Sequence, residues 1–124
     1  MLRQLLSGEG WRLGWDPNAE QFYGLLGGEH WSLELTAVEF QDFCTAVRSL
    51  QRAMAAMAEQ LMAEERLTCE KETETVWLEA EGFPAEYSLR FMLLTGRRGE
   101  GEWPAAAIPG LLSAVEKAVE QLPL

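Results

Sequence analysis

The spacing of apolar residues changes three times along this chain, and that order constrains the fold more than any single motif. Residues 11–15 read WRLGW, in which Trp11, Leu13 and Trp15 alternate with Arg12 and Gly14 as in a half-buried strand. The segments FYGLLGG (22–28) and HWSLELT (30–36) share this character. The first part of the chain is therefore predicted to form three antiparallel strands.

A helical spacing follows. Thr36 and Glu39 have the spacing of a capping box, with Leu35 and Phe40 at the positions of a hydrophobic staple. The apolar stripe then predicts one amphipathic helix that runs to about Glu65, longer than a domain of this size needs. Its far end is expected to pack on a partner or a second copy. The stripe comprises Phe40, Phe43, Cys44, Val47, Leu50, Met54, Met57, Ala58 and Leu61, and a smooth second side comprises Ala46, Ala53, Ala56 and Ala63.

The strand spacing then returns in LTCEKE (67–72), VWLEAEG (76–82) and YSLRFMLL (87–94). Met92 and Leu94 are apolar on the second side of the last segment, which predicts a central strand covered on both faces. Residues 95–104 are predicted as a loop, or a loop with a short strand. From Pro109 an apolar stripe marks a second helix that Pro123 ends.

These elements predict an α+β fold of duplicated βββ(β)α units, with antiparallel sheets packed against one long and one shorter helix. A chain of 124 residues is in the size range of one domain, so residues 1–124 are expected to form a single domain. Its pseudo-repeat halves are about 1–66 and 67–124.

Acidic residues outnumber basic ones by 20 to 10, and the net charge of -10 repels nucleic acids and anionic membranes. Such a balance suits a basic protein partner or a homo-oligomer. Two cysteines, Cys44 and Cys69, are too few for a disulfide framework and indicate a reducing compartment. With no secretory or membrane-spanning segment in the sequence, we expect a soluble, cytoplasmic protein.

The run GWRLGWDP (10–17), together with YGLLGGEHWSLELTAVEFQDFC (23–44), YSLRF (87–91) and EGEW (100–103), resembles a small family of uncharacterised proteins from cyanobacteria and plastids. The resemblance implies a fold related to the Whirly and PC4 regulators, which bind single-stranded DNA. Whirly-like proteins use a lysine-bearing KGKAAL motif that this sequence lacks, since its only lysines are Lys71 and Lys117. The family implies no activity.

The sequence offers little for catalysis, and we predict no enzyme activity, catalytic residue, cofactor or metal site. His30 is the single histidine, and no serine lies in a G-x-S-x-G turn. Both cysteines fall on predicted apolar faces. Outward carboxylates on neighbouring strands, Glu70, Glu72, Glu79 and Glu81, are predicted to form a solvated face, with a Ca²⁺ or Mg²⁺ site as the alternative.

The function predicted from these features is a non-enzymatic protein-interaction or homo-oligomerising module. Binding of single-stranded nucleic acid, by analogy of fold, and binding of a small ligand are the alternatives. The tryptophans of residues 11–31 are predicted to pack in the sheet. The candidate binding surface comprises Arg12, Tyr23, His30, Arg90, Arg97 and Arg98, and nucleic-acid binding would require the arginines to cluster.

Overall fold

The protein, seen in a computed structural model, is described over residues 2–60 and 64–122. Each half forms a four-stranded antiparallel sheet followed by a helix, which confirms the predicted α+β architecture. The first half comprises β1 (Gln4–Gly8), β2 (Trp11–Trp15), β3 (Gly24–Gly28), β4 (Ser32–Leu35) and α1 (Ala37–Glu59). The second comprises β5 (Leu67–Glu72), β6 (Val76–Phe83), β7 (Glu86–Leu93), β8 (Gly99–Trp103), a 3₁₀ turn (Ala105–Ala107) and α2 (Ile108–Gln121).

The start of α1 is confirmed and its end is corrected. The Thr36 hydroxyl accepts a hydrogen bond from the Glu39 amide, and the Glu39 carboxylate accepts one from the Thr36 amide. The helix ends at Glu59 rather than near Glu65, because the chain turns back over residues 64–66 to begin β5. Its 23 residues span about 35 Å. Leu61 and Ala63, which were assigned to this helix, and Pro123 lie outside the described residues.

The structure adds one strand to each predicted sheet. β1 was missed because its residues, QLLSG, carry no alternation of apolar and polar residues, and it forms through its hairpin with β2. β8 is the short strand that the sequence left open. β7 is central as predicted, but Met92 is half-buried and Leu94 is exposed, so within the described part of the chain no layer covers that side.

Each helix packs mainly on the sheet of the other half. α1 follows the first sheet but lies chiefly on β5 and β6, whereas α2 follows the second sheet and lies chiefly on β2. The two helices also contact each other. The buried apolar residues of both halves consequently form one core cluster, and neither half covers its own sheet with its own helix alone.

Tryptophans join the two sheets. The buried Trp103 indole of β8 donates a hydrogen bond to the Gly27 carbonyl of β3 at 2.9 Å. Trp31 packs against Trp103, with ring centroids 5.0 Å apart, and donates to the Glu102 carbonyl at 3.2 Å. Trp15 is buried and Trp11 is half-buried. The tryptophans of residues 11–31 are therefore packing residues, as predicted.

No helix in the described part of the chain is long and apolar enough to cross a lipid bilayer.

Candidate interaction surface on the second sheet

The outer face of the second sheet is the most charged surface that the two sheets expose. Strand alternation directs Leu78, Ala80, Leu89 and Phe91 into the core and places their neighbours on the other side of the sheet. We call that other side the acidic face. It comprises Thr68, Glu70, Glu72, Trp77, Glu79, Glu81, Phe83, Glu86, Ser88, Arg90, Met92, Glu100 and Glu102.

One cross-strand row of the acidic face holds three carboxylates and one guanidinium. Glu70 lies directly opposite Glu79, Glu79 opposite Arg90, and Arg90 opposite Glu102. Arg90 reaches Glu79 at 3.7 Å. Like charges directly opposite each other in an antiparallel pair are destabilising, so the Glu70–Glu79 pair works against sheet stability. The predicted outward orientation of Glu70, Glu72, Glu79 and Glu81 is confirmed.

An apolar centre interrupts the carboxylates. Trp77 and Met92 are cross-strand partners, and Glu72 and Glu100 flank them on the outer strands of the sheet. The Arg90 guanidinium lies 5.5 Å from the centre of the Trp77 ring, and the Trp77 indole donates to Glu70 at 3.3 Å. The Arg90 contact and the hydrogen bond to Glu70 therefore restrain an apolar ring among charged groups.

A second aromatic contact lies at the end of the same face. The exposed Phe83 ring has the Arg66 guanidinium 5.6 Å from its centre, and Arg66 pairs with Glu81 at 2.7 Å. No group of three or more His, Cys, Asp or Glu side chains among residues 2–60 and 64–122 is arranged to hold a metal ion.

The residues predicted to form a binding surface lie in several places. Arg12 spans the reverse side of the first sheet, where it donates to the Trp31 carbonyl at 2.9 Å and lies against Gly27. Tyr23 is buried against Phe40, with ring centroids 5.6 Å apart, so it belongs to the core and not to an exposed surface. His30 is exposed in the turn between β3 and β4.

The arginines are held by different partners. Arg90 belongs to the acidic face, while Arg97 lies in the loop before β8 and contacts the N-terminal end of α1. Arg98 is exposed in the same loop, with a positive φ of 51°. Arg12 donates hydrogen bonds to the backbone carbonyls of Gly28 and Trp31. Among the described contacts, Arg12, Arg90 and Arg97 are therefore each held by a different set of partners.

Glu39 has a second role that the capping box did not reveal. Among the residues that the structure describes, it is the one charged side chain that is buried. Beyond its bond to Thr36, it accepts hydrogen bonds from the Thr95 hydroxyl at 2.8 Å and from Arg97. Burial acts to raise the pKa of Glu39, but the hydrogen bonds from Thr36 and Thr95 and the charge of Arg97 outweigh it and hold the pKa below its usual value.

Arg97 completes this junction between the two halves. It also donates to the Glu34 carbonyl of β4 at 2.9 Å, and its guanidinium lies 4.9 Å from the centre of the Phe22 ring. The loop before β8 is thus fixed to β4 and to the first turn of α1. The sequence signal for this contact was absent, because 58 residues separate Arg97 from Glu39.

Both cysteines face the core side of the fold. Burial raises the pKa of Cys44 to about 12, with the opposing charge of Arg48 as a smaller effect. Cys69 is half-buried on the inner face of β5, and both residues are free thiols.

An open groove of about 690 Å³ lies between the helices and the β6–β7 turn, lined in part by Ala55, Pro84, Tyr87, Ile108 and Leu112.

Two antiparallel four-stranded sheets, one of which exposes an acidic face, and two helices, each packed mainly on the other half's sheet, define a small α+β protein. The family model described as a domain of unknown function (DUF1818) matches residues 6–118, and the chain belongs to this family. A comparison with curated proteins finds no match.

The chain is also similar to a solved structure, a protein with unknown function from the DUF155 family from Prochlorococcus sp. NATL2A. The two are 28% identical, with a TM-score of 0.86, and the similarity covers 93% of this chain and 97% of that chain. The predicted membership of a family of unknown function is confirmed, and the similar solved structure is that of a cyanobacterial protein.

Proposed function

We propose that this protein is a non-enzymatic protein-interaction module and that its acidic face binds a basic segment of a partner protein. The observation that carries the proposal is the row Glu70–Glu79–Arg90–Glu102, in which carboxylates face each other with one guanidinium to offset them. A cationic partner placed over this row relieves the repulsion that the isolated sheet retains.

The centre of the acidic face supports the same proposal. Trp77 and Met92 are residue types that are enriched in the cores of protein interfaces, and here they lie side by side on an open sheet. The carboxylates around them supply a charged rim. A lysine- or arginine-rich segment with one apolar anchor has the matching chemistry.

The environments of the nucleophilic side chains favour a non-enzymatic role. His30 is exposed in a turn, and Cys44 is buried with a pKa raised to about 12. A thiol nucleophile requires an adjacent base or a lowered pKa, so the raised pKa of Cys44 opposes that role. The two free thiols also support action in a reducing compartment, which we take to be the cytoplasm.

We further propose that the fold is of the Whirly/PC4 type, supported by the repetition of a four-stranded antiparallel sheet and a helix. Its analogy suggests the alternative function, binding of single-stranded nucleic acid. The Arg90 guanidinium over the half-buried Trp77 ring favours that alternative, because single-strand binders combine aromatic rings with nearby arginines. The surrounding glutamates oppose it, because they repel phosphates.

A pulldown with matched variants tests the protein-partner proposal. Tagged wild-type protein, the face variant Glu70→Lys/Glu100→Lys and the control variant Glu20→Lys/Glu59→Lys are incubated with nuclease-treated lysate. Both variants change the net charge equally, but the control residues are exposed outside the acidic face. We expect a protein retained by the wild type and the control and lost from the face variant. Equal retention by all three chains would contradict the proposal.

The nucleic-acid alternative has its own readout. Fluorescence anisotropy with a labelled single-stranded oligothymidine measures binding at about 50 mM and about 200 mM salt. We expect no binding at either concentration. Binding at the lower concentration that is lost at the higher one, and lost again in Arg90→Glu, would replace the protein-partner proposal with the alternative.

A further inference from the structure

The two sheets have four edge strands, and β1 is covered less than the others. The side chain of Arg97 donates to the backbone of β4, and Trp31 donates to the backbone of β8. β5 lies against α1 and carries charged residues at positions 70–72. Charge and covering groups are the usual protection of an edge strand against pairing with another chain.

β1 carries neither form of protection within its bounds. Gln4–Gly8 contains no charged residue, and the described contacts of β1 are with β2 and, to a small extent, α2. Leu5 is 62% exposed and Leu2, which precedes the strand, is 81% exposed. An open, uncharged edge strand with exposed leucines is a surface that a further strand can extend.

The hairpin geometry determines which backbone groups of β1 are available. Gly8 and Trp11 flank the two-residue turn of Glu9 and Gly10, and such flanking residues form a hydrogen-bonded pair. Because hydrogen-bonded and outward positions alternate, the N–H and C=O groups of Leu5 and Ser7 point away from β2. These groups can form backbone hydrogen bonds with a strand placed beside β1.

We propose that β1 pairs antiparallel with β1 of a second copy of this chain and joins two first sheets into one continuous eight-stranded sheet. The flanking charges select this occupant. Arg3 precedes the strand and Glu9 follows it, so the register that places Leu6 opposite Leu6 of the second copy places Arg3 opposite Glu9 of the second copy. Two symmetric ion pairs bracket the interface.

The same register satisfies the hydrogen bonds and the leucines. Leu5 faces Ser7 of the second copy, and both residues carry outward backbone groups, which gives four hydrogen bonds across the twofold axis. The two Leu5 side chains become diagonal neighbours on the outer face of the joined sheet, within reach of each other. Leu6, half-buried beside the core, meets its own copy on the inner face.

This interface is separate from the acidic face. β1 belongs to the first sheet and the acidic face to the second, so a dimer leaves the carboxylates of both copies available to a partner. A single pair of short strands makes a small interface, and we expect a dissociation constant of about 1–100 µM. Measurement at about 150 mM salt screens the repulsion between two chains of net charge -10.

Sedimentation equilibrium on the full chain tests the dimer and its register. Arg3→Glu and Glu9→Arg each place like charges opposite each other, and each is expected to weaken dimerisation about 10-fold. The double variant Arg3→Glu/Glu9→Arg exchanges the two charges and is expected to restore the wild-type constant. The control Arg52→Glu changes the same charge on the exposed side of α1 and is expected to change nothing.

A backbone variant provides an independent test. Proline at position 7 removes an N–H that points away from β2, so Ser7→Pro is compatible with the β1–β2 hairpin but obstructs a paired second strand. We expect native circular dichroism and at least 10-fold weaker dimerisation.

A wild-type chain that stays monomeric at about 500 µM overturns the proposal, because that concentration exceeds the expected constant several-fold. The proposal is also overturned if natively folded Ser7→Pro dimerises with the wild-type dissociation constant. It is overturned as well if the double variant dimerises as weakly as the single variants. The two proposals are tested separately by a pulldown with Arg3→Glu. If this variant is monomeric and still retains the basic partner, partner binding does not depend on the dimer.

Discussion

The two sheets have the same strand connectivity, but their outer faces differ in charge. Both run as four antiparallel strands in chain order, yet the outer face of the first sheet carries Leu5, Leu25, two glycines and one charge of each sign, Arg12 and Glu34. The outer face of the second sheet carries a row of glutamates. The connectivity is therefore repeated while the surface chemistry is not, and the proposed functions divide accordingly: self-pairing at the first sheet and partner binding at the second.

Their inner faces differ as well. The second sheet fills most of its inner face with its own side chains, among them Val76, Leu78 and Leu93, although the Trp31 ring lies on its Gly101. The first sheet places Gly24 and Gly28 on its inner face, and aromatic rings from elsewhere lie on them. A Cβ atom at Gly24 would come within 2.2 Å of Phe40, and one at Gly28 within 2.1 Å of Trp31. Glycine here gives room for a ring instead of supplying a turn.

The largest expected effect compares the two faces of the second sheet. Trp103→Ala removes a fully buried ring and the hydrogen bond to Gly27, and we expect a loss of about 3–5 kcal/mol in the free energy of unfolding. Trp77→Ala on the acidic face is the matched control, with an expected loss of about 1 kcal/mol. Urea denaturation measures both. Equal losses would show that the two faces are not distinct in packing.

The next effect tests the glycine–aromatic contacts of the first sheet. Gly24→Ala forces a methyl group against the fully buried Phe40, and we expect a loss of about 2–3 kcal/mol. Gly96→Ala is the control, because its added Cβ meets no atom within 4 Å, and we expect a change below about 0.5 kcal/mol. Thermal denaturation that ranks the two variants the other way would refute this account of the first sheet.

A third prediction concerns the junction between the halves. Because the pKa of Glu39 is lower in the folded state, its ionisation stabilises the fold above the usual pKa of 4.5, and that contribution is lost as the pH falls toward the folded-state value. Glu39→Gln is expected to lose about 1–3 kcal/mol at pH 7. The difference from wild type should shrink between about pH 5 and pH 3, the range over which most of the unfolded glutamate carboxyls become protonated.

Urea denaturation over that pH range measures the difference between the two chains, which removes the titration that the other glutamates share. Glu34→Gln is a suitable control, because its contact with Arg97 uses the backbone carbonyl. A pH-independent gap between wild type and Glu39→Gln would contradict the lowered pKa.

The smallest effect sharpens the comparison of outer surfaces. Glu70→Lys converts a like-charge pair with Glu79 into an opposite-charge pair, and we expect a gain of about 0.5 kcal/mol at low salt. Glu72→Lys on the same strand changes the net charge equally but lies opposite Trp77, so its gain should be smaller. Chemical denaturation with and without about 0.5 M salt distinguishes them, since salt screens the charge-pair gain. An equal gain in both variants would assign the effect to net charge.

Much of the fold was predictable because it depends on neighbours in the chain. The alternation in residues 67–72 predicted β5 with its exact bounds, and Thr36 and Glu39 predicted the start of α1. β1 was missed because its pattern is weak and its pairing with β2 creates it. The end of α1 was placed too late, because the apolar spacing continues past the point where the chain must turn toward β5.

The candidate site was predictable in part for the same reason. Strand alternation placed the glutamates of β5 and β6 outward, but their cross-strand partners required the register of the sheet. Tyr23 was predicted to lie at a surface, but it is buried. It precedes the first residue of β3, and its ring packs against Phe40 instead of following the alternation of that strand.

The sequence by itself determined the order of β2 to β7 and the two helices, the inward and outward positions of β5 and β6, and the capping of α1, because these follow from interactions within a few residues. The tertiary structure alone decided that each helix covers the other half's sheet and that Arg97 meets Glu39. It also decided that the Trp31 indole bonds to the Glu102 carbonyl, 71 residues away, and the Trp103 indole to the Gly27 carbonyl, 76 residues away. Such contacts form only when the whole core packs at once, so no local pattern records them.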